Sequence, residues 1–471
     1  MDFIKTIFLM LMMTLIFTTT ACAAPVPLRG IVEGFYGTPW TYEDRADIMK
    51  FCREHNLNAY IYAPKSDPYH RDKWREPYPA NQLADMKKLV DTAKANGIRF
   101  TFAISPGLDL HYTGNEGDKD FKLLLDKMEA MYRIGVRSFA IFFDDLKDDK
   151  GRHREDGKLQ AEFLNRVQDT FHSRHKDIVP LITVPTEYFY ADMIDGNKVK
   201  NYTRDFSENL DEKIVVMYTG DEVVCPGISN EQLDAANKVY NRDRGLGIWW
   251  NYPVNDYTLR QNGGRNSKLA LGPIVNLPSK NMHAIYFNPM GQVQMSKIAL
   301  ATGAEYANAP EIYDPQKSWE KAIDEQFGEL APAMKIFASH SQHMQNNWAN
   351  CGVDDAKYFS SSANIVMMSA RKGRNVNFDT LENYISEMES AADTLLTRLP
   401  EKYLKECKPQ LEQFKRIAQA DRLAVNSLKA GKLDPNLKNL RAEIERNAPK
   451  AILSELSALK FVDDVLELMK G

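Results

Sequence analysis

Ser138-Phe139-Ala140-Ile141-Phe142-Phe143-Asp144-Asp145 closes an apolar, aromatic run on two adjacent acids. A run of this length and composition is the pattern of a core strand in a parallel sheet, and such a strand seldom stops on two carboxylates. Like charges this close repel. In a shared, partly dry site one carboxyl tends to stay protonated while its neighbour ionises, which sets a proton donor beside a charge stabiliser. That pairing suits hydrolysis of a glycosidic bond. The plainer alternative is that Asp144 and Asp145 only cap the following loop, and the rest of the chain decides between the two.

Runs of the same kind recur on both sides, at residues 28–33, 58–63, 99–104, 138–143, 179–184, 214–218, 247–250 and 283–287. Between them lie helical patterns at 42–55, 81–96, 120–134, 159–175 and 231–240. Helix-then-strand alternation argues for parallel β/α units, and eight such units fit a closed (β/α)8 TIM barrel over residues 24–310. A doubly wound open sheet is the competing architecture. It is weakened because no Gly-rich phosphate-binding fingerprint follows the first run.

After Pro310 strand signals stop, and charged helical patterns run through 318–327, 331–349, 378–399, 402–430 and 436–469. Leu395, Leu396 and Leu399, then Leu453, Leu456, Leu459 and Val462, fall on single helix faces, which predicts an all-α helical bundle over residues 311–471. Gly431-Lys432-Leu433-Asp434-Pro435 reads as an interhelix turn, since Gly and Pro both interrupt a helix.

The whole chain has 471 residues, 44% hydrophobic and 26% charged, with a net charge of -4. That composition is globular, and without a stripe of lysines and arginines no nucleic-acid partner is expected. Asp2 and Lys5 precede an apolar stretch over 7–17 and the small residues Thr18 to Ala24, the layout of a secretory signal over residues 1–23. Cleavage after the Ala21-Cys22-Ala23 box is the favoured exit, giving a secreted or periplasmic protein. The alternative is a lipid anchor on Cys22 at the cell surface. Cys52, Cys225, Cys351 and Cys407 are too few for a disulfide scaffold. Cys52 reads as a buried thiol, and the state of the other three stays open. Without a C-x-x-C or a His cluster of ligand spacing, neither a metal nor a cofactor is expected. A homodimer stays open.

In a β/α barrel the chemistry lies at the C-terminal strand ends. Here those ends are polar together: Glu33-Gly34-Phe35-Tyr36-Gly37-Thr38-Pro39-Trp40, Pro64-Lys65-Ser66-Asp67-Pro68-Tyr69-His70, Asp144-Asp145, Pro185-Thr186-Glu187-Tyr188, Thr219-Gly220-Asp221, Trp249-Trp250-Asn251-Tyr252-Pro253 with Asp256, and Asn288-Pro289-Met290. Carboxylates, amides, a lysine and aromatic planes converging on one rim describe a sugar pocket. Trp249 and Trp250 are adjacent on a strand, so at least one belongs to the core. Asp221 reads as a loop feature.

The same segments, with Gly30-Ile31-Val32 and Tyr60-Ile61-Tyr62-Ala63 added, resemble glycoside hydrolase family 84, in order and across the whole barrel. The resemblance implies a retaining exo-β-N-acetylglucosaminidase acting on GlcNAc-containing glycans or glycoproteins, with the substrate's 2-acetamido group as nucleophile. It implies Asp145 as general acid and base, and Asp144 as the group that holds the acetamido N–H. Gly34, Lys65, Asn251, Asp256 and Asn288 would contact sugar hydroxyls. Tyr188 would hold the acetamide oxygen, while Thr219 and Trp249 wall its methyl. Consecutive strand residues point to opposite faces, so both acids can meet one substrate only if the backbone is irregular at Asp144. Two rivals remain at this stage: a glycan-binding protein without turnover, and an endo-acting enzyme on a polymer such as hyaluronan.

Overall fold

Each apolar run is a strand of three to six residues with a bare hydrogen-bonding edge on either side, and closure into a ring satisfies both edges at once. The computed structural model describes residues 24–145, 156–256, 267–345 and 349–470. The secretory signal expected over residues 1–23 and the lipid anchor weighed for Cys22 lie outside them. Strands β1 (Leu28–Glu33), β2 (Ala59–Tyr62), β3 (Arg99–Ile104), β4 (Ser138–Phe142), β5 (Ile182–Val184), β6 (Val215–Tyr218), β7 (Gly247–Trp250) and β8 (Ala284–Phe287) form a closed barrel. All neighbours are parallel, and β1 closes on β8 with Gly30 opposite Tyr286.

Period-two alternation divides the side chains into two cores. Val32, Ile61, Ala103, Ala140, Phe142, Val184, Met217, Trp249 and Tyr286 fill the barrel interior. Ile31, Tyr60, Phe102, Ile141, Phe143, Tyr218, Trp250 and Phe287 face outward, under the helices. The adjacent tryptophans thus part company as the strand period requires. Small residues let the ring close: a Cβ on Gly30 would lie 1.8 Å from the Ala59 carbonyl oxygen.

The crossover helices are α1 (Tyr42–Glu54), α2 (Ala80–Ala95), α3 (Gly114–Arg133), α4 (Gly157–Arg174), α5 (Asn201–Asn209), α6 (Asn230–Val239) and α7 (Val293–Asn308). The α1 start is a full capping box, with Thr41 accepting from Asp44 N–H and the Asp44 carboxylate accepting in return. A further helical array follows: α8 (Pro315–Phe327), α9 (Ala331–Ser339), α10 (Lys357–Arg371), α11 (Asp379–Arg398), α12 (Glu401–Ala430), α13 (Pro435–Asn447) and α14 (Ala458–Leu468). Its hold on the barrel is partly polar. Glu406 of α12 accepts the Gln294 and Met295 main-chain N–H groups at 2.8 and 3.0 Å, capping α7, the helix that follows β8.

Two helical readings need correction. The pattern over 331–349 ends at Ser339, because Asp355 draws the chain off the helix by accepting Gln342 and His343 N–H at 2.6 and 2.8 Å. Met344–Gln345 then pairs antiparallel with Asn350–Cys351, so strand pairing does not stop at Pro310. The pattern over 436–469 is two helices broken after Asn447, where Pro449 has no N–H with which to continue the helical ladder. Leu456 of the predicted apolar face is accordingly 58% exposed. Helices α5, α7 and α10 were not anticipated. All four described cysteines, Cys52, Cys225, Cys351 and Cys407, are buried, and no disulfide links them to one another.

One ion pair ties β1 to α1. Glu33 is fully buried and takes a bidentate bond from Arg45 at 2.7 Å for each oxygen, with further bonds from the Tyr60 hydroxyl and the Trp40 N–H. The pair spans the 34–40 turn that enters the site. Removing one partner leaves the other charge stranded, so Arg45→Ala is expected to destabilise the fold by about 3–5 kcal/mol. Denaturant unfolding at neutral pH measures it.

Candidate active site

Strand β4 ends at Phe142, and its alternation carries Phe142 and then Asp144 toward the barrel axis. Asp145, next in line, is due to point outward with Phe143. It takes φ = +54° instead, a left-handed conformation that Asp tolerates better than most residues, and this turns both carboxylates to one rim.

There they line a pocket of about 280 Å³ together with Gly34, Lys65, Tyr188, Thr219, Trp249, Asn251, Asp256 and Asn288. Every site residue expected from the sequence is present in this one cavity. Its floor is the inner core itself, where Phe142 meets the Trp249 ring edge-on at 5.6 Å. Gly34 must lack a side chain, since a Cβ there would fall 2.3 Å from the Trp249 ring. The amides are mutually fixed. Asn251 Oδ1 accepts from Trp249 Nε1 (2.9 Å) and Asn288 Nδ2 (3.0 Å), while Asn251 Nδ2 donates to the Val223 carbonyl (2.8 Å). Asp256 Oδ2 accepts the Tyr36 N–H at 2.6 Å, tying the loop after β7 to the loop after β1.

Lys65 Nζ lies 2.7 Å from Asp144 Oδ2 and 3.3 Å from Asp145 Oδ2. This changes the expected electrostatics of the pair. Burial alone raises the Asp145 pKa, but Lys65, the Tyr36 hydroxyl at 2.7 Å and Arg71 outweigh it and hold that carboxyl below its ordinary value. The tandem therefore does not keep Asp145 protonated in the empty site, because a buried cation relieves the repulsion that two isolated acids would feel. The acids in turn hold the Lys65 ammonium above its usual range against the effect of burial. Asp144 Oδ1 is the exception in this network: it is buried and has no hydrogen-bond partner among the described residues.

Other strand-end groups do structural work. Glu33 faces α1, Glu187 is buried and accepts from Thr203 at 2.5 Å, and Asp67 accepts from the Tyr62 and Tyr78 hydroxyls at 2.8 and 2.7 Å. Asp221 accepts from Gln232, consistent with its reading as a loop feature. His70 is buried, and burial lowers its pKa to about 4, so the ring is neutral. A carbonyl only accepts, so Nδ1 carries the proton to the Ala103 oxygen at 2.7 Å and Nε2 faces Ser105 Oγ at 3.3 Å. The sequence reading missed Tyr36, Val184, Val223, Val224 and Val254 on the wall, and Arg71 beside it. Tyr36 stood inside a quoted motif. The valines carried no signal distinguishing them from core.

Comparison with known proteins agrees with this geometry. Residues 29–339 match the family model described as beta-N-acetylglucosaminidase, and residues 364–462 match one described as hyaluronidase post-catalytic domain-like. The chain belongs to that β-N-acetylglucosaminidase family, glycoside hydrolase family 84. Among solved structures, that of CpGH84B superposes with a TM-score of 0.84 at 38% identity, covering 94% of this chain and 77% of the other. A point mutant of the Thermobaculum terrenum O-GlcNAc hydrolase gives a TM-score of 0.79 at 30% identity, covering 94% of both chains. The protein O-GlcNAcases of Rattus norvegicus and Mus musculus are 30% identical over 285 residues, 59% of this chain. The match spans about 30% of the length of those curated relatives.

The electrostatic account has a direct check. In Lys65→Met the burial of Asp145 is opposed only by Tyr36 and Arg71 among the groups named above, so its pKa is expected to rise. Carboxyl-carbon NMR titration of the free protein reads the shift.

Proposed function

We propose that this chain is a retaining exo-β-N-acetylglucosaminidase, removing terminal β-linked GlcNAc from glycoconjugates by substrate-assisted catalysis through an oxazoline intermediate. The observation that carries the reading is Asp144 Oδ1, a buried acceptor without a donor among the described residues, in a cavity walled by Val184, Val223, Val224 and Trp249. An unpaired buried acceptor is costly, and its natural complement here is an N–H attached to a small apolar group. The acetamide of GlcNAc supplies both. A cavity closed below by the barrel core favours a terminal sugar over a passing chain, and the names of the relatives add O-linked GlcNAc to the proposed substrates.

In this mechanism the acetamide oxygen attacks the anomeric carbon while Asp145 gives a proton to the departing glycosidic oxygen. Asp144 holds the acetamido N–H and stabilises the positive charge that develops on the oxazolinium, and Tyr188 holds the attacking oxygen. Asp145 then takes a proton from the water that opens the ring, restoring the original anomeric configuration. A single acid/base suffices because the second carboxylate of an ordinary retaining glycosidase is replaced by the substrate. The ionised Asp145 of the empty site suits the second step. For the first, sugar hydroxyls engage Lys65 and the aglycone excludes water, and both changes raise the Asp145 pKa. Export under a cleaved 1–23 leader completes the proposal.

An aryl β-GlcNAc glycoside is expected to be cleaved, and the matching glucoside, which lacks the acetamide, to survive. Equal turnover of both would remove substrate assistance. Asp145→Asn is expected to lower kcat/KM by about 100-fold or more on an alkyl glycoside, whose leaving group needs its proton.

A further inference from the structure

Arg71, in the loop after β2, has no part in the mechanism above, yet it reaches the acid/base directly at its main chain and indirectly through Tyr36. Its Nη1 donates to the Tyr36 hydroxyl at 3.0 Å, and its Nη2 donates to the main-chain carbonyl of Asp145 at 3.2 Å. The Tyr36 hydroxyl in turn donates to Asp145 Oδ2 at 2.7 Å. Chemistry fixes the direction of this triangle. A guanidinium only donates, so the phenol oxygen accepts from Arg71, and the one phenol proton is left for the carboxylate. The second contact falls on the residue whose φ is +54°. A non-glycine residue keeps such a backbone only when its surroundings impose it.

The footing of Arg71 is firm. His70, immediately before it, is buried, bonds Ala103 through its ring and accepts the Ser105 N–H at its main-chain oxygen at 2.9 Å. The loop is thereby fixed to the end of β3. Around Asp145, Lys65 approaches from the end of β2, Tyr36 from the loop after β1, and Tyr188 from the loop after β5 at 3.5 Å, with Asp144 adjacent. Asp256 accepts the Tyr36 main-chain N–H. Lys65 already supplies a buried cation, so what Arg71 adds is geometry: a rigid planar fork that serves two acceptors at once.

We propose that Arg71 is a positioning residue for the acid/base, locking the left-handed turn at Asp145 with one nitrogen and orienting the Tyr36 proton onto its carboxylate with another. Asp145 is thereby presented ionised and aligned for the water-activating half of the reaction. The inference rests on the hydrolysis proposed above.

Kinetics against pH on an activated aryl β-GlcNAc glycoside test it, because a good leaving group makes kcat report on the opening of the oxazoline. Arg71→Met is expected to lower kcat about 10- to 100-fold, with KM moved much less. The acidic limb of kcat moves up by about one unit, since loss of a nearby cation raises the carboxyl pKa and a higher pH is needed to ionise Asp145. Arg71→Lys keeps the charge but has one nitrogen for two acceptors, so the limb stays near wild type while kcat falls. Adding Arg71→Met to Tyr36→Phe costs less than the product of the single effects, because both act through one contact. Thermal unfolding midpoints equal to wild type exclude a folding defect as the source. The proposal is overturned by an Arg71→Met rate within twofold of wild type and an unmoved limb, by full activity of Arg71→Lys, or by single effects that multiply. Those results leave the hydrolase reading intact, whereas a wild-type protein inert toward GlcNAc glycosides overturns both.

Discussion

A single buried ammonium holds the site together. Lys65 lies 2.7 Å from one acid and 3.3 Å from the next, and without it two carboxylates on consecutive residues would repel each other at one rim. The arrangement requires β2 to deliver Lys65 inward and β4 to deliver Asp144 inward at the same height, with the chain turning left-handed at Asp145. Barrel register supplies the first two conditions. The third is local and is braced by Arg71 and Tyr36.

How much of this could be read in the sequence depended on whether a residue's role followed from the period of its own strand. Alternation placed Trp249 and Trp250 on opposite faces and required an irregular backbone at the tandem acids, and those are features of the structure. Resemblance to a family located the ten cavity residues, because their motifs lie at strand ends that the fold brings together. Arg71 was invisible for a physical reason: an arginine in a loop is usually solvated, and only the fold shows that this one meets the carbonyl of Asp145. The cation that holds the Asp145 carboxyl below its ordinary value was hidden likewise, since Lys65 lies 79 residues from Asp144 in the chain.

Beyond the barrel the same rule explains the errors. Helical periodicity over 331–349 is real, yet Asp355, still further along, competes for the main-chain N–H groups of Gln342 and His343 and wins. The break after Asn447 had a readable cause in Pro449, which the apolar spacing of later leucines masked. Local pattern is a weak guide where a buried carboxylate offers the backbone another partner.

The pocket has no layer of its own between the sugar and the barrel interior. Val184 and Trp249 belong at once to the hydrophobic filling of the ring and to the wall of the cavity. Variation at that depth would alter the packing that keeps eight strands closed, so selection for a different sugar and selection for a folded barrel act on the same atoms. Diversity among such proteins should therefore collect at the rim, in the loops around the mouth of the cavity.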